Sequence, residues 1–338
     1  MTNEVRGVLH LPRMRFVRQF GELRLGDVAL VGGKNASLGE MISTLEPAGV
    51  RVPGGFALTA DAYREHLAAS KLEGPIREAM REVRKEDIHD LVRRSTEVRE
   101  LIQRAPLPPL VVAELDASYR LMSEEYGEPA TDVAVRSSAT AEDLPTASFA
   151  GQLESFLNIR GFAALEESVR RAFGSAFTPR AISYRLDMGF DHMKVAVSVG
   201  IQKMVRSDRA SAGVIFTLDP DSGHRGVVLI TSSWGLGESV VQGRVVPDQI
   251  LVHKSTLEGG FRPLVWKKVG SKETMLVYDD VVPDLIESAP VAPADRDRLS
   301  LSDDDALELA HWALRIERHY SELRGQPTPM DIEWAKDG

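Results

Sequence analysis

The sequence predicts a mixed α+β fold in two halves, on three observations. A chain of 338 residues exceeds one ordinary core and suits about two, at roughly 150 residues each. Residues 61–126 are rich in Ala, Leu, Glu and Arg, the best helix formers. From Asp132 onward, short β-branched runs bounded by Gly, Asp or Pro take over, which is the pattern of strands. Helices first and alternating strands later imply α+β or α/β halves with a cleft between them.

Taken in order, Gly32-Gly33 forms a turn and KNASLGEM then puts Leu38 and Met41 at helical spacing. VRVPGGFAL at 50–58 reads as an extended piece interrupted by Pro53-Gly54-Gly55. Several surface helices fill 61–126, broken only by APLPP at 105–109. VAVRSS and SFLNI are strands, followed by one helix over about 162–183. Residues 195–205, 211–218 and 226–233 are further strands of a mostly antiparallel sheet. The Pro-rich, acidic stretch 281–305 is a loop before a last helix at 305–320, whose Leu307, Ala310 and Leu314 share one face. MDIEWA at 330–335 closes the series as a strand.

Apolar residues at 43% and charged residues at 27% exclude a disordered or collagen-like chain. Lys and Arg total 41 against 50 Asp and Glu, a net charge of −9. That is the wrong sign for wrapping nucleic acid or lying on anionic lipid. With no cysteine, disulfides, thiolate metal sites and a cysteine nucleophile are excluded, which fits a reducing cytosol. The opening twenty residues interleave charge with apolar residues and no run of about 18 apolar residues follows. A cytoplasmic location is the expectation.

Several segments suit phosphate chemistry. Gly32-Gly33-Lys34-Asn35 places a cation and close-approach backbone at a helix start, where free N–H groups favour an anion. Asn35 after Lys34 excludes a Walker A loop. Arg136 ends a buried strand and is followed by Ser137, Ser138 and Thr140, a guanidinium fork with hydroxyls beside a small-residue loop over 142–152. The alternative is a structural ion pair of Arg136 with Glu142 or Asp143. Gln202, Lys203, Met204 and Val205 sit between strand-like halves, where main-chain groups beside an apolar Met could receive a flat purine, or Met204 could simply be core. In WGLGE, Val240 stands where a dinucleotide fingerprint needs its third glycine, so the loop instead aims Glu238 at a cleft or merely turns. Asp331 and Glu333 are two apart in a strand and share a face, as hard oxygen ligands for Mg²⁺ or as a plain solvated surface. None of the eight histidines has metal-ligand spacing.

Together GGKNASLGEM, VPGGFALT, VAVRSSATAEDLPTASFAGQLESFLNI, AISYR, GIQKMVRSD, SAGVIFTLDPDSGHRG, SSWGLGESVVQGRVVPD and PMDIEWAKDG resemble the N-terminal nucleotide-binding region of the phosphoenolpyruvate synthase (pyruvate, water dikinase) family. The resemblance covers nearly all of the chain from Val31 onward. It implies an ATP-grasp fold whose two subdomains clamp ATP with Mg²⁺. Carried over, Lys34 and Arg136 are the catalytic phosphate-binding pair, and Ser138, Thr140, Gly151 and Gln152 belong to the loop over the phosphates. Gln202, Lys203, Met204 and Val205 form the adenine hinge, Glu238 lies near the nucleotide, and Asp331 and Glu333 face the metal. Residues 1–13 would be an extension, 14–199 the half with the phosphate-binding elements, and 200–338 the half with the hinge and the acids.

In that family, phosphoryl groups of ATP pass to a histidine on a separate domain, which visits a pyruvate-binding domain; ATP, pyruvate and water give AMP, phosphoenolpyruvate and phosphate. The resemblance implies that this chain supplies the ATP half-reaction, its partners being those two domains of a parent enzyme. Rifamycin-type antibiotic phosphotransferases share a more distant version, and a non-catalytic nucleotide-binding module would keep the same fold. AISYRLDMGFDH and VVQGRVVPD favour the synthase. Lys336-Asp337-Gly338 reads as the start of a hairpin turn, so the expectation is a domain truncated before its last strand, with a metal site short of a ligand and ATP bound weakly or not at all.

Overall fold

A computed structural model describes residues 14–140, 154–279 and 285–337. The expected extension at 1–13 and the phosphate-covering loop at 142–152, with Gly151 and Gln152, lie outside the described residues. The chain divides into two units: the described residues up to Ser43 with Gly54–Lys203, and Thr44–Pro53 with the described residues from Met204 onward.

Unit 1 is built on β1 (Val17–Gln19), β2 (Gly55–Leu58), β3 (Val133–Ala139), β4 (Ser155–Ile159) and β5 (Val197–Lys203). All pairs are antiparallel, in the order β1-β2-β5-β3-β4, so β5 is central. Side chains alternate across a strand, and the sequence uses both faces. Phe56, Leu58, Val133, Val135, Val197, Val199 and Ile201 enter the large core. There they meet apolar residues of α2 (Ala60–Ala69), α3 (Glu73–Met80), α4 (Ile88–Arg104), α5 (Pro109–Glu125), α6 (Phe162–Gly174) and α7 (Pro179–Met188). Each such side chain, fully buried, stabilises by about 1.5–3 kcal/mol before entropy is counted. Ala57 faces the other way, into a smaller cluster with Val31 and Ala36 of α1 (Val28–Glu40).

Two helical expectations need correction. The single helix over 162–183 is two: Thr178 caps α7 by accepting from the Ala181 N–H at 3.2 Å, with Pro179 in the first turn. A proline inside a helix removes a hydrogen bond and clashes, whereas at the start it costs nothing. Within 61–126, α2 and α3 also end beside Lys71 and Glu82, which take left-handed φ of 53° and 59°. With no glycine there, the sequence gives no stop signal.

Unit 2 has β6 (Ser211–Phe216), β7 (Val227–Trp234), β8 (Asp248–His253), β9 (Leu264–Lys268) and β12 (Asp331–Lys336), antiparallel in the order β12-β6-β7-β8-β9. β10 (Thr274–Tyr278) and β11 (Ile286–Pro290) pair separately. The strands read from 132 onward therefore fall into different sheets rather than one, and the stretch read as loop at 281–305 contains β11 and the short α10 (Pro293–Arg296). α11 (Asp303–Arg324) starts at Ser302, whose hydroxyl accepts from the Asp305 N–H, and ends at Gly325 with φ 64°. It buries Leu307, Ala310 and Leu314, as its spacing predicts, against β-strand residues Val228, Ile230, Ile250 and Val252. Segment 44–53 docks on this helix: the Arg51 guanidinium lies 5.1 Å over the Trp312 ring and Arg315 donates to the Ala48 carbonyl.

Unit 2 also encloses a charge pair. Lys272 and Asp248 are fully buried. The ammonium reaches Asp248, Gly270 O and Arg296 O, and the carboxylate accepts from Gly270 N at 2.8 Å and from Ser300 N and Oγ at 2.7 and 2.8 Å. Each lone pair and proton is used, which is the condition for tolerating such a pair.

Candidate active site

In unit 1 the site begins at a break in α1. Gly32 takes φ 73° and ψ 164° inside the helix span, so the helix restarts beyond it. The first amides of a helix are the ones without carbonyl partners inside it, and so are the ones open to other acceptors. A Cβ on Gly32 would collide with Ser138 Oγ and come within 2.9 Å of the Ala139 carbonyl. Only glycine lets this turn rest on the end of β3. Lys34 follows on the exposed side, and Asn35 is buried.

The ladder between β3 and β5 pairs Arg136 with Gly200, Ser138 with Ser198 and Ala134 with Gln202. Residues two apart share a face, and Ser138 and Ser198 face α1, one under Gly32 and the other bonded to Asn35. Arg136, Ser138 and Gln202 therefore lie on the α1 side of the sheet, with the Gly32 turn and Lys34. Among the described residues, Ser138 Oγ is buried with no hydrogen-bond partner. Thr140 differs, because its N–H and its hydroxyl both donate to the Ala196 carbonyl, at 3.0 and 3.2 Å. Lys203 is also committed. Its N–H donates to Gly54 O at 3.0 Å, and its ammonium pairs with Asp132 and, at 3.4 Å, with Glu128.

Within unit 2, Met204 is buried and the Val205 carbonyl accepts from Ser207 N at 2.8 Å. Arg206, which sequence reasoning missed, grips Asp208 through Nε and Nη2 at 2.8 Å each, with its guanidinium 4.3 Å from the Tyr278 ring centroid. Glu238 opens the short α8 (Glu238–Val241) and accepts from Gln242 Nε2 at 2.6 Å. On β12, Trp334 is buried and its indole donates to Thr231 O at 3.1 Å, while Asp331 and Glu333 project to the exposed side. Partial burial first and the Glu333 charge second raise the Asp331 carboxyl above its ordinary value. A cation between such neighbours relieves their repulsion. Among the described residues, no group of three or more His, Cys, Asp or Glu side chains is arranged to hold a metal.

Residues 28–338 match the family described as pyruvate phosphate dikinase, AMP/ATP-binding domain. The chain belongs to this family. The chain is similar to the phosphoenolpyruvate synthase of Synechocystis sp., 49% identical over 323 residues, covering 94% of this chain and 40% of the relative. The Escherichia coli phosphoenolpyruvate synthase is 45% identical over 321 residues, with 94% and 40% coverage. The probable phosphoenolpyruvate synthase of Methanocaldococcus jannaschii is 42% identical over 322 residues, with 95% and 26% coverage. The AMP/ATP-binding chain thus spans 40% of the length of the first two relatives. No helix among its described residues is long and apolar enough to cross a membrane.

Proposed function

We propose that this chain is the ATP-grasp, nucleotide-binding part of a phosphoenolpyruvate synthase, which takes phosphoryl groups from ATP for delivery to a histidine on another domain and thence to pyruvate. The observation that carries the reading is the shared face in unit 1: the Gly32 turn with Lys34, Arg136, Ser138 and Gln202. Lys34 and Arg136 neutralise the polyphosphate, Arg136 as a planar fork suited to two oxygens. Main-chain amides at the restart of α1 add donors for a phosphate oxygen. Ser138 has a hydroxyl to give, whereas the Thr140 proton is spent on Ala196. Met204 and Val205 offer apolar side chains suited to a purine, and the 202–203 backbone is engaged by the unit 1 sheet.

Asp331 and Glu333 suit Mg²⁺, which binds through one or two carboxylates plus phosphate oxygens and water. When bound, the ion neutralises phosphate charge. The chain's own contribution to transfer is positioning and charge stabilisation, which is most of what phosphoryl transfer asks of a protein. The names of the relatives favour pyruvate over an antibiotic as the parent enzyme's acceptor. A cytoplasmic setting fits the absence of cysteine. To test the reading, the chain is mixed with a separately produced phosphohistidine domain and β-³²P ATP. Label on the histidine supports it, and ATP binding with no label on any acceptor would leave only a nucleotide-binding module.

A further inference from the structure

Asn35 has no role in the reading above, yet it is 2% exposed and ties together two ends of the unit 1 site. Its Nδ2 donates to Val31 O and to Ser198 Oγ, both at 3.0 Å, and Ser198 Oγ donates in turn to Leu58 O at 2.7 Å. The chemistry leaves one orientation of the amide. Carbonyls only accept, so the Ser198 proton goes to Leu58 and both neighbours of Asn35 require a donor. Val31 precedes the Gly32 break and Asn35 follows it, so the side chain bridges the kink.

Its other edge fits β5 with equal closeness. A Cβ on Gly200 would collide with Asn35 Oδ1 and come within 3.2 Å of Cγ. Gly200 is the register partner of Arg136, and Ser198 that of Ser138. One buried amide therefore sets the kinked start of α1 against the two strand positions opposite Arg136 and Ser138.

We infer that Asn35 is a positioning residue: it fixes the restarted turn of α1 on β5 so that Lys34 and the first amides of that turn are held on the same face as Arg136. The inference rests on the ATP-binding reading. It explains why a buried amide, which is costly unless fully bonded, occupies the position next to Lys34.

The test uses the full chain with Asn35→Ala, Asn35→Asp and Ser198→Ala, each checked by thermal melting. Asn35→Asp keeps the shape and loses the donors, so it separates hydrogen bonding from packing. Amide hydrogen exchange over 33–38 without ligand is expected to quicken in all three variants. The MgATP dissociation constant is expected to rise about tenfold or more, since small misplacements of a phosphate-binding group are costly, while adenosine affinity stays the same. Unchanged exchange would overturn the inference, as would quickened exchange with unchanged MgATP affinity. A wild-type chain that takes up no ATP would overturn the proposed function instead, and the exchange arm would then decide the anchor by itself.

Discussion

Unit 1 offers cations and hydroxyls from the middle of a sheet, and unit 2 offers carboxylates from an edge strand. Arg136 and Ser138 sit on β3 beside the central β5, with α1 pressed against them through Gly32 and Asn35. Asp331 and Glu333 sit on β12, the outermost strand of its sheet, with their side chains exposed. The contrast teaches where function and stability share residues. In unit 1 the proposed site is part of the packing. In unit 2 the packing lies elsewhere, in the Trp334 cluster and the buried Lys272–Asp248 pair.

The largest expected effect tests that separation. Asp248→Ala leaves a buried ammonium without its counter-charge and should destabilise unit 2 by about 3–5 kcal/mol. Chemical denaturation that finds less than about 1 kcal/mol would mean that the knot does not hold the unit. Next comes Gly32→Ala, which forces a left-handed residue and a collision with Ser138. A loss of about 1–3 kcal/mol is expected, and a neutral result would place the site outside the packing of unit 1.

A further effect depends on pH and belongs to unit 1. Arg185 is buried, and its Nε donates to His192 Nδ1 at 3.0 Å, a nitrogen that must be unprotonated to accept. Burial first and the Arg185 charge second push His192 down to about 4, from 6.5. On acidification the unfolded chain takes that proton before the folded one does. The His192 contribution is therefore complete above about 6.5 and is lost as pH falls towards about 4. His192→Gln should flatten the stability profile in that window, and an unchanged slope would contradict the assignment. The smallest effect belongs to the edge strand: Asp331→Asn and Glu333→Gln should change stability by no more than about 0.5 kcal/mol, with a melting curve as the check.

Local signals in the sequence carry part of this arrangement. The Gly32-Gly33 turn, the alternation of Asp331, Glu333 and Trp334, and the Leu307, Ala310 and Leu314 face each depend on residues close together in the chain, and the structure keeps the turn, the alternation and the face. What the sequence hides depends on distant partners. Asn35 meets Ser198 across 163 positions, and nothing near either residue announces the contact. Ser138 and Thr140 look alike as hydroxyls, and only Ala196, just before β5 and 56 positions away, distinguishes them. Lys272 reads as a surface lysine until Asp248 and Ser300 are brought around it. Helix ends at Lys71 and Glu82 escape notice because left-handed turns there use no glycine.

The central claim is that unit 1 binds the phosphates of ATP. The most direct measurement is calorimetric titration of the full chain with MgATP, alongside Lys34→Ala and Arg136→Ala whose melting curves match the wild type. The account predicts saturable binding by the wild type and, in each variant, affinity lowered about tenfold or more, the scale of a lost charge-assisted contact. Equal affinity in all three proteins would contradict it.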